Sequence, residues 1–299
     1  MVESEHLFRN INDGILEERF AAFERNLEKN LPLIRTHGGL RGVVSELDGA
    51  VAVVVGAGPT LDRDLAVLAR LADRVKIIAA DMAFAALAAR GISPHFVISC
   101  ETRPFDFICG RETRGMRLLA FSCMSHANLT RWRGPVHFYN WMIGGAYERL
   151  WDRAGRDLGA VATGGLVTTQ AVSFALGCPI RALVLVGNDL AFTDRYYARS
   201  VAETRGHARA VCRRSPLETI ETEMVRRAMD FKILRGTRAY LTTRQFLAAK
   251  IWLERLFANH RHRVYDCGDP GCSEKYVAKT DLENIMNSLC GTLEGRTAL

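Results

Sequence analysis

The stretch that most constrains the fold is VAVVVGAGPTLD, residues 51–62. Five consecutive apolar, mostly β-branched residues mark a strand buried on both faces, as strands are in a parallel sheet. Two glycines, a proline and a threonine then lead into LDRDLAVLARLAD (61–73), whose apolar residues recur at helical spacing. A strand running through a tight turn into a helix is half of a β-α-β unit, and the pattern repeats. VKIIAA (75–80) reads as a second strand, MAFAALAARG (82–91) as a helix closed by glycine, and HFVISC (95–100) as a third strand. MRLLAFS (116–122) and VHFYNW (136–141) read as two more strands. GGLVTTQAVSFALG (164–177) is a glycine-started helix, and RALVLVGNDL (181–190) a central strand with a polar tip. The alternation predicts an α/β fold with a mostly parallel sheet flanked by helices.

Outside this core, residues 1–50 read as a helical N-terminal extension, with apolar positions at 16, 20, 23, 27, 31 and 34 and a break at THGGLRG (36–42). The main domain is expected to span 51–299. Its segment 192–240, irregular and rich in Arg, Thr and Glu, is read as a lid or an acceptor-binding insertion. TTRQFLAAKIWLERLFANH (242–260) is an amphipathic helix capped by Thr242 or Thr243. RVYDCGDPG (263–271) is a strand and turn, and DLENIMNSL (281–289) a final helix.

At 299 residues, 48% hydrophobic and 24% charged, the chain has the composition of a globular protein. No apolar run approaches the roughly 20 residues of a membrane helix, and the first residues carry no signal-peptide pattern. A cytoplasmic protein with no membrane partner is expected. The net charge of +7 is spread along the chain, densest at RGHARAVCRR (205–214). Such charge suits nucleic acid, a phosphate-bearing small molecule or an acidic partner equally, and most of it reads as a solvated basic surface; a nucleic-acid partner is not expected. Most cysteines are expected to be buried free thiols. The Cys267/Cys272 pair lacks the second ligand pair that a zinc site needs.

In open parallel sheets, ligands bind beyond the carboxyl ends of the strands. The polar residues of this chain gather there: Gly56, Gly58, Pro59 and Thr60 after the first strand, Asp81 after the second, Glu101 and Thr102 after the third, Ser122 after the fourth, and Gly187, Asn188 and Asp189 after the strand near 185. Five polar tips are expected to face one crevice. Gly56 and Gly58 allow close backbone approach to an anion, although the third glycine of a GxGxxG fingerprint falls at Leu61 and no Walker GKS or GKT follows. The alternative is a tight turn required by packing alone. On the phosphate reading, Gly58→Val abolishes nucleotide binding and spares the fold. Gly164 and Gly165, with Thr168, offer either a second set of backbone amides or a packing contact. Asp81 is a metal ligand, a hydroxyl contact or a helix cap. Asp189 is the first choice for a functional acid, and His126 and His207 lie in polar loops.

Taken together, GAGPTLD, AADMAFAALAARGISPHFVISCE, TGGLVTTQAVSFALG and VLVGNDLAFT resemble the motility-associated factor (Maf) glycosyltransferases and the related 6-hydroxymethylpterin diphosphokinase MptE-like proteins. The resemblance covers residues 45–195 and continues more weakly beyond. It departs from the usual pattern at Thr60 (usually Ser), Glu101 (usually Asp) and Asn188 (usually Gln). It implies a Rossmann-like core with the GAGPT and TGG turns as donor-phosphate contacts and the GNDL tip at the same nucleotide site. Two activities follow from it. One transfers a nonulosonic, sialic-acid-like sugar from a CMP donor to an acceptor protein such as flagellin, with no metal needed. Asp189, Glu101 and His207 are then the catalytic candidates. The other is ATP-dependent pyrophosphorylation of a hydroxymethylpterin, with Mg²⁺ held by Asp81, Glu101 and Asp189 and with Phe84, Phe105 or Trp141 against the pterin. A non-catalytic nucleotide-sugar-binding protein is the third reading.

Overall fold

A computed structural model of the chain describes residues 2–193, 195–204, 231–235, 238–260 and 263–290, with side chains from residue 19 onward except at 146, 204, 231–235 and 238. His207 and the 205–214 basic cluster lie outside the described residues, as does most of the 192–240 segment.

The chain opens with helix α1 (Val2–Thr36), then a two-residue strand β1 (Gly38–Gly39) and two short 3₁₀ turns. There follow β2 (Val51–Val55), α2 (Leu61–Leu71), β3 (Lys76–Ala80), α3 (Asp81–Ala89), β4 (Phe96–Ser99), β5 (Arg117–Phe121), α4 (His126–Leu129) and β6 (Val136–Trp141). Next come α5 (Ala146–Asp152), β7 (Ala160–Val161), α6 (Val167–Leu176), β8 (Ala182–Val186) and α7 (Arg199–Thr204). The last described elements are β9 (Phe231–Arg235), β10 (Arg238–Thr242), α8 (Arg244–Phe257), β11 (Val264–Asp266), β12 (Ala278–Lys279) and α9 (Leu282–Cys290). Each strand and helix of the sequence reading is present, with ends moved by a few residues.

Ten strands form one sheet in the order β1-β6-β5-β4-β3-β2-β8-β11-β12, with β7 beside β6, and each of its described pairings is parallel. From β2 the chain winds outward through β3, β4, β5 and β6. It then returns across the sheet through α6 to place β8 on the other side of β2. This reversal makes a Rossmann-like, doubly wound fold with its switch point between β2 and β8. β9 and β10 form a separate antiparallel ribbon.

Strand β2 shows why the apolar runs are continuous. Ala52 and Val54 enter the core on one face with Phe174 of α6 and Leu253 and Phe257 of α8. Val51, Val53 and Val55 enter the other with Leu65 and Leu68 of α2 and Met286 of α9. Both faces being covered, no position is left for a polar residue. α1 belongs to the first face. Phe23 meets Phe121 edge-on at 5.5 Å, and Phe121 stacks on Trp141 at 4.2 Å. Asn26 donates to the carbonyls of Thr102 and Cys123, and buried Asn30 to those of Ser122 and Met124. Two asparagines one helical turn apart thus pin α1 to the carboxyl ends of β4 and β5.

No helix among the described residues is long and apolar enough to cross a membrane.

Candidate functional site

The tips of β2 and β8 meet at van der Waals distance. A Cβ on Gly56 would fall 2.5 Å from the Gly187 carbonyl oxygen, and one on Gly187, whose φ is +63°, would fall 2.6 Å from that of Gly56. A Cβ on Gly58 would fall 2.5 Å from Asp189 Oδ2. The turn amides are spent on this contact: Gly56 N donates to the Val186 carbonyl, Gly58 N to that of Gly187, and Thr60 N to Asp189 Oδ2. The glycines of GAGPT are therefore required by the approach of two strand tips. The expectation that Gly58→Val spares the fold is overturned, because any side chain there drives into the Asp189 carboxylate.

Asp189 is 1% exposed. Besides Thr60 N at 2.9 Å, it accepts from Thr60 Oγ1 at 2.5 Å and from Asp269 N at 3.0 Å. It ties the turn after β2 to the CGDPG turn after β11. Burial pushes its pKa up to about 6, against the opposing pull of the Thr60 and Asp269 donors. Beside it, Asn188 donates back to the carbonyls of Val54 and Val186. The CGDPG turn closes on a second buried acid that the sequence reading missed. Asp266 pairs with Lys279 at 2.7 Å and accepts from Gly268 N and Cys272 N. Cys267 and Cys272 are buried free thiols, their pKa values raised by burial.

A crevice of about 170 Å³ opens beyond the ends of β2, β3 and β8. Its polar lining comes from Asp81, Thr168, Asn188 and Asp189, with the backbone of Gly58 and Gly187. Asp81 is buried; its Oδ2 accepts from Ser99 Oγ at 2.6 Å and its Oδ1 from Met82 N at 2.7 Å, at the start of α3. Leu166, Val167 and Thr168 bring the start of α6 to the same crevice, where no side chain caps the helix. Its first amides, at the positive end of the helix dipole, therefore suit an anion. Tyr196, Tyr197 and Phe246 add aromatic surface that the sequence reading did not single out. Leu190, also in the lining, has φ +56°, held by Thr242 Oγ1 on its carbonyl at 2.7 Å. A leucine in the left-handed region is the kind of backbone strain that gathers at ligand sites.

The five polar tips do not share this crevice, although their strands are adjacent. Glu101 accepts from Arg103 N in its own loop, and Thr102 lines a different cavity. Ser122 is buried with its hydroxyl donating to Asn140 Oδ1 at 2.6 Å. Pro59 and Thr60 lie in the turn after β2 and are not part of the crevice lining. Gly164 and Gly165 direct their amides to Thr169 Oγ1 and Thr163 Oγ1, and a Cβ on Gly164 would meet the Trp252 ring at 2.9 Å. Packing is the reading the contacts display for Gly164, whereas Gly165 has a φ of +90° and nothing within 4 Å of an added Cβ. Phe84 and Trp141 are core residues and Phe105 is half-buried. Among the described residues, no three His, Cys, Asp or Glu side chains gather as a metal site.

Residues 198–200 of the 192–240 segment fold directly over GAGPTLD. Ala198 N donates to the Ala57 carbonyl, and Asp62 accepts from the amides of Arg199 and Ser200 at the start of α7.

Fold and crevice together define a doubly wound α/β protein with a polar-lined crevice at the switch point. More particularly, residues 25–195 match the 6-hydroxymethylpterin diphosphokinase MptE-like family, and the chain belongs to it. Among solved structures, it is similar to the Maf glycosyltransferase from Magnetospirillum magneticum AMB-1, with a TM-score of 0.56 at 18% identity. That match covers 78% of this chain and 34% of the other, so this chain spans about a third of the length of that protein. At such identity the likeness is one of fold. Both family and neighbour are named as transferases. No curated protein matches the sequence.

Proposed function

We propose that the protein is a transferase acting on a nucleotide-linked donor, and that it moves a sugar acid of the nonulosonic type from a CMP donor to an acceptor protein such as flagellin. The observation that carries the donor reading is the uncapped start of α6 opening on the switch-point crevice beside Asp81 and the Gly187–Asp189 tip. A departing CMP phosphate would gain charge there, facing fixed amides in a half-enclosed site. The tyrosines and Phe246 offer flat apolar surface to a base or sugar ring.

The carboxylates favour sugar transfer over metal-dependent phosphoryl chemistry. All four oxygens of Asp81 and Asp189 accept hydrogen bonds from protein donors, whereas a magnesium site needs oxygens presented to the ion. With a pKa raised to about 6, Asp189 falls in the range of a general acid working near neutrality. The pyrophosphokinase reading is favoured by the family's own description, and both acids line the one crevice. On that reading Asp81 and Asp189 hold Mg²⁺ against the ATP phosphates, without Glu101, which lies outside the crevice lining.

Turnover separates the readings. Release of CMP from a CMP-linked nonulosonic acid in the presence of EDTA supports sugar transfer. Release of AMP from ATP only with Mg²⁺ and a hydroxymethylpterin supports the kinase. No turnover on either leaves the nucleotide-sugar-binding reading.

A further inference from the structure

A second cavity, of about 440 Å³, lies two strands along the same edge of the sheet, beyond the ends of β4 and β5. It shares no lining residue with the crevice. Its walls carry Arg19, Arg25 and Lys29 from α1, Arg103 from the loop after β4, and His126 at the start of α4, with no carboxylate among them. The crevice, by contrast, has two acids and no lysine or arginine in its lining.

Three of these cations, Arg19, Arg25 and Lys29, have no carboxylate within ion-pair distance among the described residues. Of the acids on the part of α1 with described side chains, Glu24 and Glu28 are both taken by Arg153. Arg19 Nε is buried with no hydrogen-bond partner, a donor left unsatisfied in the protein alone. The helix that carries these three cations is fastened to the sheet. Asn26 and Asn30 fasten α1 to the strand ends, and His126 Nδ1 lies 3.0 Å from Asn30 Oδ1. Like charges held together without counter-charge repel one another, and a bound anion removes that repulsion.

We infer that this cavity is a binding site for a multiply charged oxyanion, a phosphate or diphosphate group. Arginines and a lysine at its walls would supply the donors. The inference stands on the cavity and does not require the reading of the crevice. Adjacent strands lie roughly 4.8 Å apart, so the two sites are close enough for one extended ligand or two substrates to occupy them together.

The test is calorimetric titration of inorganic pyrophosphate, CMP and ATP into wild type and into the Arg25→Ala/Lys29→Ala double variant. Both residues are solvent-exposed on α1, and an unchanged melting temperature without ligand certifies the fold. Pyrophosphate affinity is expected to fall at least tenfold in the double variant, with CMP affinity unchanged. A parallel loss for ATP would make a nucleotide's own phosphates the source of the oxyanion, and a loss for pyrophosphate alone would assign it to a separate ligand. Equal pyrophosphate affinity in the two proteins, or none in wild type, overturns the inference.

Discussion

Gly58→Ala puts the packing of the strand tips to a direct test. Its Cβ would stand 2.5 Å from Asp189 Oδ2 and 2.9 Å from the Gly187 carbonyl oxygen, roughly 1 Å short of van der Waals separation. Neither neighbour is a flexible chain end. The carboxylate is fixed by Thr60 N, Thr60 Oγ1 and Asp269 N, and the carbonyl is backbone. Overpacking of this kind costs about 1–3 kcal/mol. If Asp189 moves to make room, hydrogen bonds to a charged group are lost at about 1.5–3 kcal/mol each. Together roughly 3–5 kcal/mol is expected, a fall in melting temperature of roughly 6–15 °C for a chain of this size. Gly115→Ala is the control, since nothing lies within 4 Å of its added Cβ. Thermal melts without ligand decide the matter. A Gly58→Ala melt within a degree or so of Gly115→Ala would refute the packing argument and return Gly58 to a role in ligand approach alone.

Other outcomes follow from the same contacts. Because burial raises the Asp189 pKa to about 6 from the model-compound 3.8, the folded state binds its proton more tightly than the unfolded state. Stability from this group is full below about pH 4 and is lost as pH rises to about 6, by roughly 3 kcal/mol. Asp189→Asn should remove that slope in denaturant titrations at pH 4 and 7; an unchanged slope contradicts the assignment. Lys279→Met strands the buried Asp266 charge and should cost about 3–5 kcal/mol in urea unfolding, while a cost under 1 kcal/mol would show the turn to be held by its other contacts. Asn30→Ala leaves two strand-end carbonyls without their donor and should cost about 2–4 kcal/mol by the same assay; a neutral result would mean that α1 is not fastened there.

The core was legible because burial on both faces of a parallel sheet forces unbroken apolar runs. VAVVV and ALVLV read as strands by their shortness, their β-branched residues and the glycine that follows each. The crevice was half legible. Strand ends expose backbone groups and so gather polar residues, and Asp81, Gly58, Gly187, Asn188 and Asp189 do line one crevice at that edge. Which way those residues point depends on contacts between segments some 130 positions apart, such as Thr60 with Asp189, and no local pattern encodes them. The same limit hid the Asp266–Lys279 latch and the pinning of α1 by Asn26 and Asn30. Glu101, Thr102 and Ser122 carried the same local signal as Asp81, yet their strands end under α1 and the loop after β4. Tyr196 and Tyr197 reach the crevice only because the segment after β8 folds back over α2.

The central claim is that the switch-point crevice holds a nucleotide-linked donor at the start of α6. The most direct measurement is calorimetric titration of CMP, in EDTA and again in Mg²⁺, into wild type and into Thr168→Trp, which fills the lining at that helix start. CMP binding of equal strength under both conditions, and lost in Thr168→Trp with the melting temperature preserved, is the predicted result. CMP binding that survives Thr168→Trp intact, or no CMP binding at all beside tight Mg²⁺-dependent binding of ATP, would contradict it.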